Sequence, residues 1–194
     1  MIDRPVVCAT GHRPKVFGTY NEQDKRIVCV KSAIKDFLQE HKPEKLLTGM
    51  ALGVDQWAAE AAMNLGISVV AAVPFRGQNK TWPYTSTKKY QDILSSASEI
   101  YVINKDDHNP VSYKEFISCN GDVLSYDVIR MCLLRRNIWM VDHSDAVMAV
   151  WNGSMGGTGH CVSYAEGKKV EGFSGADDVK KVVYNLWNEN MVKY

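Results

Sequence analysis

The stretch ISVVAAVPF, residues 67–75, is apolar almost without interruption. A strand wetted on one face alternates apolar with polar side chains. An unbroken, β-branched run therefore predicts a strand buried on both faces, as in a parallel sheet between two helix layers. Parallel neighbours cannot be joined by a hairpin and need a crossover, normally a helix. The rest of the chain meets that demand. Short apolar runs at RPVVCAT (4–10), KLLTGM (45–50), EIYVIN (99–104) and DAVMAVW (145–151) alternate with segments of helical character at 21–41, 53–66, 85–97, 123–144 and 157–169. The first of these segments places Ile27, Val30, Ile34, Phe37 and Leu38 on one helical face. KVEGF (169–173) reads as a last strand and 175–191 as a closing helix. The expectation is an α/β fold: one three-layer domain over residues 1–194, with a mostly parallel sheet and right-handed crossovers. The irregular segment 104–122 reads as a lid or a polar connection.

Charge and cysteine usage narrow the function classes. The net charge is +1, with 45% hydrophobic and 23% charged residues. That balance argues against broad electrostatic binding to nucleic acid or to an anionic membrane. The N-terminus has no signal-like apolar stretch, and no run approaches a membrane span. Cys8, Cys29, Cys119, Cys132 and Cys161 are odd in number and form no CxxC pair. A disulfide framework and a metal site are therefore not expected, and a reduced, cytoplasmic protein is.

Three strands end in glycine-bearing loops: TGHRP (10–14), TGMALGVD (48–55) and WNGSMGGTG (151–159). In a parallel sheet such loops share the carboxyl edge, where ligands bind. Two of them lead into helices, whose free N–H groups and positive end suit a phosphate. The candidate ligand-binding residues are Gly11, His12, Arg13, Gly49, Gly53, Asp55, Asn137, Trp151, Gly156, Gly157 and Thr158. Each has a plainer role to weigh. Thr158 is a phosphate ligand or a helix cap. Arg13 is a phosphate clamp or an inert loop residue. His12 is a ligand contact, an acid, or a cap on its turn. Asp55 is a catalytic acid candidate and a ribose acceptor, or a stabiliser of a helix start. Arg135, Arg136 and Asn137 read as the end of a long helix, the arginines complementing its dipole and Asn137 reserved for a specific hydrogen bond. Trp151 is placed to stack on a base, Trp57 reads as core, and Asp142 and Asp145 read as turn residues. Met50 and Met155 read as gap-fillers.

The motifs TGHRP, TGMALGVDQWAAEAA, RRNIWMVDHSDAVMAVWNG and GGTGHCVSYA, in that order, resemble the YpsA-type family of the SLOG superfamily, whose relatives include Smf/DprA and the LOG phosphoribohydrolases. The resemblance implies a Rossmann-like domain with a nucleotide-type ligand. LOG enzymes carry GGxGTxxE. Here GGTGHCVS has His160 at the threonine position and Val162 in place of an acid toward the glutamate position; the nearest acid is Glu166. The favoured function is binding of a nucleotide or ADP-ribose-like phosphorylated small molecule, as a sensor or sequestering protein. The alternative is an N-glycosidase cleaving the base from a nucleoside 5′-phosphate, with Asp55 as acid and Asp142 or Glu60 as poorer choices. No separate cofactor, nucleic-acid partner or membrane is expected, and a homodimer is compatible with helices flanking the sheet.

Overall fold

The computed structural model describes residues 4–104, 109–170 and 179–193. The strands are β1 (Val6–Gly11), β2 (Lys45–Thr48), β3 (Ser68–Val73), β4 (Glu99–Val102), β5 (Ala146–Val150) and β6 (Val182–Asn185). The helices are α1 (Lys25–His41), α2 (Val54–Asn64), α3 (Tyr84–Ser96), α4 (Tyr113–Ser118), α5 (Tyr126–Asp142) and α6 (Gly157–Ala165). The sheet runs β4-β3-β2-β1-β5-β6 and every pair in it is parallel. The expected architecture is thus observed: a three-layer, Rossmann-like α/β fold.

The apolar patterns explain the layers. Ile27, Val30, Ile34, Phe37 and Leu38 of α1 are buried, with residues of α2 and α3, against one sheet face. Ile138, Trp139, Val141, Cys161 and Ala165 of α5 and α6 cover the other. β3 alternates between the two clusters, Val69 and Ala71 toward one and Val70 and Ala72 toward the other, so neither set of side chains is polar. Helix α1 starts where Asp24 accepts from the Arg26 N–H at 3.0 Å.

Two expectations need correction. The segment read as a closing helix holds β6 and a short 3-10 turn at Glu189–Met191. Its valines mimic a helical period, but Val183 packs on the α5–α6 side while Tyr184 meets Phe37 and His41 on the α1 side, the alternation of a strand. Pairing with β5 (Ala146↔Val182 to Ala149↔Asn185) decides the outcome. The 104–122 segment is not wholly irregular: Val111 bridges Ile100, and α4 follows, capped by Ser112. Of the strand read at 169–173, residues 171–173 lie outside the described residues, as do 175–178 of the closing helix.

One ionic cluster ties the first layer together. Glu22 accepts from Lys31 Nζ at 2.6 Å, from Lys89 Nζ at 2.6 and 2.8 Å, and from Trp57 Nε1 at 3.1 Å. It thereby joins α1, α2 and α3. Burial alone would raise the Glu22 carboxyl, but the hydrogen bonds from Lys31, Lys89 and Trp57 prevail and hold it at about 2. A depressed carboxyl contributes stability above its unfolded value of 4.5 and loses it as the pH falls through 2. Glu22→Gln should therefore lower the Tm at pH 7, by an amount worth roughly 1–2 kcal/mol once screening at this half-exposed site is allowed for. The gap from the wild type should close between pH 4.5 and 2 in thermal denaturation.

Candidate functional site

β1 is followed by α1 on one face of the sheet, and its neighbour β5 by α6 on the other. Their loops diverge at the carboxyl edge, the switch point of the sheet, where a ligand crevice is expected. The register Gly11↔Val150 brings the two strand ends level, so His12 and Trp151 leave the sheet side by side.

From β1, His12 is buried and bridges the seam. Its N–H donates to Val150 O at 3.3 Å, and its carbonyl accepts from Val54 N at 3.4 Å. Its Nε2 lies 2.8 Å from Asn152 Oδ1 and 3.1 Å from the Asn152 N–H. Burial lowers its pKa, against the opposing Asn152 contact, so the ring is neutral at pH 7. The ring also meets Trp187 edge-on, with centroids 5.7 Å apart. His12 thus positions the loops. Arg13, next to it, is exposed and caps the 3-10 turn Pro14–Phe17 with its backbone alone.

From β2 comes the charged centre. Asp55, in the first turn of α2, is 4% exposed, and Arg136 of α5 is 7% exposed. Arg136 Nη1 lies 3.3 Å from Asp55 Oδ2, which also accepts from the Ala51 N–H at 3.2 Å. Burial raises the Asp55 carboxyl, countered by the charges of Arg136 and Arg13 and by the Ala51 bond. Arg136 Nε has no partner. The helix-dipole reading fails for Arg136, whereas Asp55 does stand in the first turn of α2 and adds an ion pair to that role. Asp55 is committed to an internal ion pair. Arg136 does not end its helix, which continues to Asp142.

The glycines divide into two kinds. A Cβ on Gly49 would sit 1.3 Å from Arg136 Nη1, one on Gly11 2.5 Å from Val54 Cγ1, and one on Gly53 2.6 Å from the His12 carbonyl. At these positions the group crowding the backbone is the protein itself. A Cβ added at Gly156 or Gly157 would meet nothing within 4 Å, and at Gly157 the backbone does not require glycine either. Gly156, at φ 138°, is the N-cap of α6 and offers no side-chain cap. Thr158 stands inside the helix, so it is not the cap.

The remaining site residues set the loop. Asn137 Nδ2 donates to Gly157 O at 2.9 Å, the specific bond anticipated for a mid-helix asparagine. Trp151 Nε1 donates to Ser154 O at 2.7 Å, and Asn185 accepts from and donates to the Trp151 backbone. Met155 is fully exposed at the loop tip, not a gap-filler. Asp142 accepts from Tyr164 Oη, Asp145 from the Val6 N–H, and Trp57 is core, as expected. Glu166 sits past the far end of α6, paired with Lys168, away from the loop. Sequence reasoning missed two residues: Arg136, whose signal was a charge inside the apolar run CLLRRNIWMV, and Asn152, which gave none. Among the described residues no cluster of His, Cys, Asp or Glu could hold a metal ion, and no helix is long and apolar enough to cross a membrane.

The family profile described as the YspA SLOG family matches residues 7–119. The SPbeta prophage-derived protein YoqJ of Bacillus subtilis (strain 168) is 31% identical over 140 residues, covering 70% of this chain and 77% of YoqJ. The UPF0398 protein YpsA of the same organism is 32% identical over 137 residues, covering 63% of this chain and 76% of YpsA. Among solved structures, DNA processing protein A (DprA) from Streptococcus pneumoniae is similar with a TM-score of 0.53 at 16% identity. That match covers 92% of this chain but only 58% of the DprA chain, and it speaks for the fold alone. With its profile match, its relatives and its sheet in agreement, the chain belongs to the YpsA-type SLOG family.

Proposed function

We propose that this protein binds a phosphorylated nucleoside derivative in the crevice between residues 10–14, 48–55 and 151–158, as a sensor or sequestering protein. The observation that carries the reading is the open N-terminus of α6. Gly156 caps it without a side chain, and the space over Gly157 is unfilled although neither packing nor backbone demands a glycine there. A phosphate fits that space, receiving the first N–H groups of the helix and the Thr158 hydroxyl. Arg13, exposed at the neighbouring strand end, supplies a bidentate donor. Trp151 offers the base a ring anchored by its own N–H.

The raised carboxyl of Asp55 favours one second reading, cleavage of the N-glycosidic bond. Against it, Oδ2 is committed to Ala51 and Arg136, and no acid stands at the LOG glutamate position. Asp55 therefore serves binding as the counter-charge that holds Arg136, with Oδ1 left for a sugar hydroxyl. The DprA relative is named for DNA processing, but a net charge of +1 supplies no extended basic surface for nucleic acid here.

Incubating stoichiometric protein with nucleoside 5′-monophosphates, NAD and ADP-ribose, then separating free base, nicotinamide and intact nucleotide, tests both readings. Retention of an intact nucleotide is expected; release of base, lost in Asp55→Asn, would establish the glycosidase. Asp55→Ala is the wrong variant for that purpose. It strands a buried arginine, and should cost about 3–5 kcal/mol in denaturant unfolding. Arg13→Ala should weaken binding of the retained nucleotide by at least ~1.5 kcal/mol, measured calorimetrically. Gly157→Ala should leave the Tm of the free protein unchanged or slightly raised, since the added methyl meets nothing, while weakening nucleotide binding. A fall in free-protein Tm would show that the glycine serves the fold.

A further inference from the structure

The proposed crevice leaves a second buried arginine unexplained. Arg76 follows β3 and is 4% exposed. Among the described residues its guanidinium makes no ion pair and its Nε has no hydrogen-bond partner. It lies over the Phe116 ring, 5.6 Å from the centroid, a contact that holds the cation without neutralising it. Backbone bonds fix its place: Arg76 N donates to Asp122 Oδ2 at 2.9 Å, and Asp122 N returns a bond to Arg76 O at 2.9 Å. Asn104 Nδ2 donates to the same Oδ2 at 3.1 Å, while its own Oδ1 is buried and unpartnered. The Asp122 carboxylate is thus engaged by neutral donors and stays outside ion-pair range of the guanidinium. A buried, unpaired cation is costly to keep, and beside it stands a buried acceptor that also lacks a partner.

Arg76 and Asn104 follow the carboxyl ends of β3 and β4, on the same sheet edge as the proposed crevice. β3 neighbours β2, and Gln78 of the Arg76 loop and Gln56 of α2 both donate to Met50 O at 3.5 Å. From the end of β5 to the end of β3 there are three inter-strand steps, or ~14 Å.

We infer that Arg76, with Asn104 beside it, is a second anion subsite of the crevice, and that the ligand is an extended molecule with two anionic groups rather than a nucleoside monophosphate. The inference rests on the proposal that the crevice holds a phosphorylated ligand. One anionic group occupies the α6 N-terminus and Arg13; the other pairs with Arg76, and a neighbouring hydroxyl or amide donates to Asn104 Oδ1.

Inorganic phosphate scores the two subsites separately in a phosphorus-31 titration. The wild type should bind two phosphates, and Arg76→Met and Arg13→Ala one each. Arg76→Lys should keep two, and Arg76→Gln, a gentler loss of charge if the methionine variant does not fold, should keep one. A single wild-type phosphate, lost in Arg13→Ala and unaffected at Arg76, would overturn this inference and leave the proposed function standing. A single phosphate lost only in Arg76→Met would do the reverse for the α6 subsite. To test that one ligand spans both, ADP-ribose 2′-phosphate should bind at least tenfold tighter than AMP, the excess vanishing in Arg76→Met. Equal affinities would overturn the extended ligand.

Discussion

Bringing a guanidinium into the interior of a protein is costly unless a matching negative charge meets it, and the Arg136–Asp55 pair sets much of the surrounding geometry. Asp55 lies at the start of α2, Arg136 two-thirds of the way along α5, on opposite sides of the sheet edge. To meet, the arginine must pass over the end of β2, and it does so through the space a side chain at residue 49 would fill. Gly53 and Gly11 then let α2 start hard against the end of β1. The tight turns at the first two strand ends therefore follow from one charge-pairing requirement, together with the packing of α2.

That requirement also separates assembly from recognition. His12, Gly11, Gly49, Gly53, Asp55 and Arg136 are occupied with one another, whereas Arg13 caps its turn through its backbone alone and Gly157 is held only by its carbonyl, which accepts from Asn137. The first group fixes where the loops stand. The second is the group through which the proposed ligand would be held. Substitutions in the first group should act on stability, and in the second on affinity, which is the distinction a site hypothesis needs in order to be tested cleanly.

The layered fold was legible because buried parallel strands leave an unmistakable apolar signature, as at 67–75 and 145–151. The loops were legible because glycines cluster where strands end. Residues 182–185 were not, because a short, largely exposed edge strand carries no continuous apolar run to set it apart from a helix, and only its partner β5 decides the matter. The burial of Arg136 was hidden for a related reason. From the sequence, a charge near a helix end and a charge threaded to a carboxylate 81 residues away look alike. The contrast among the glycines was likewise invisible, since crowding by Val54 or Arg136 is a fact of three dimensions.

The position of β1 bears on how this molecule comes into being. Its first partner, β2, follows within 40 residues of it, but its other partner, β5, pairs Ala146 with Val7. Strands β1 to β4 can be laid down in order as the chain grows, each beside its predecessor. The seam that carries the crevice must instead wait for almost the whole polypeptide, and closes across the longest loop in the sheet. The proposed phosphate site is therefore completed late in folding, since a chain that ends before β5 and α6 lacks the residues that would form it.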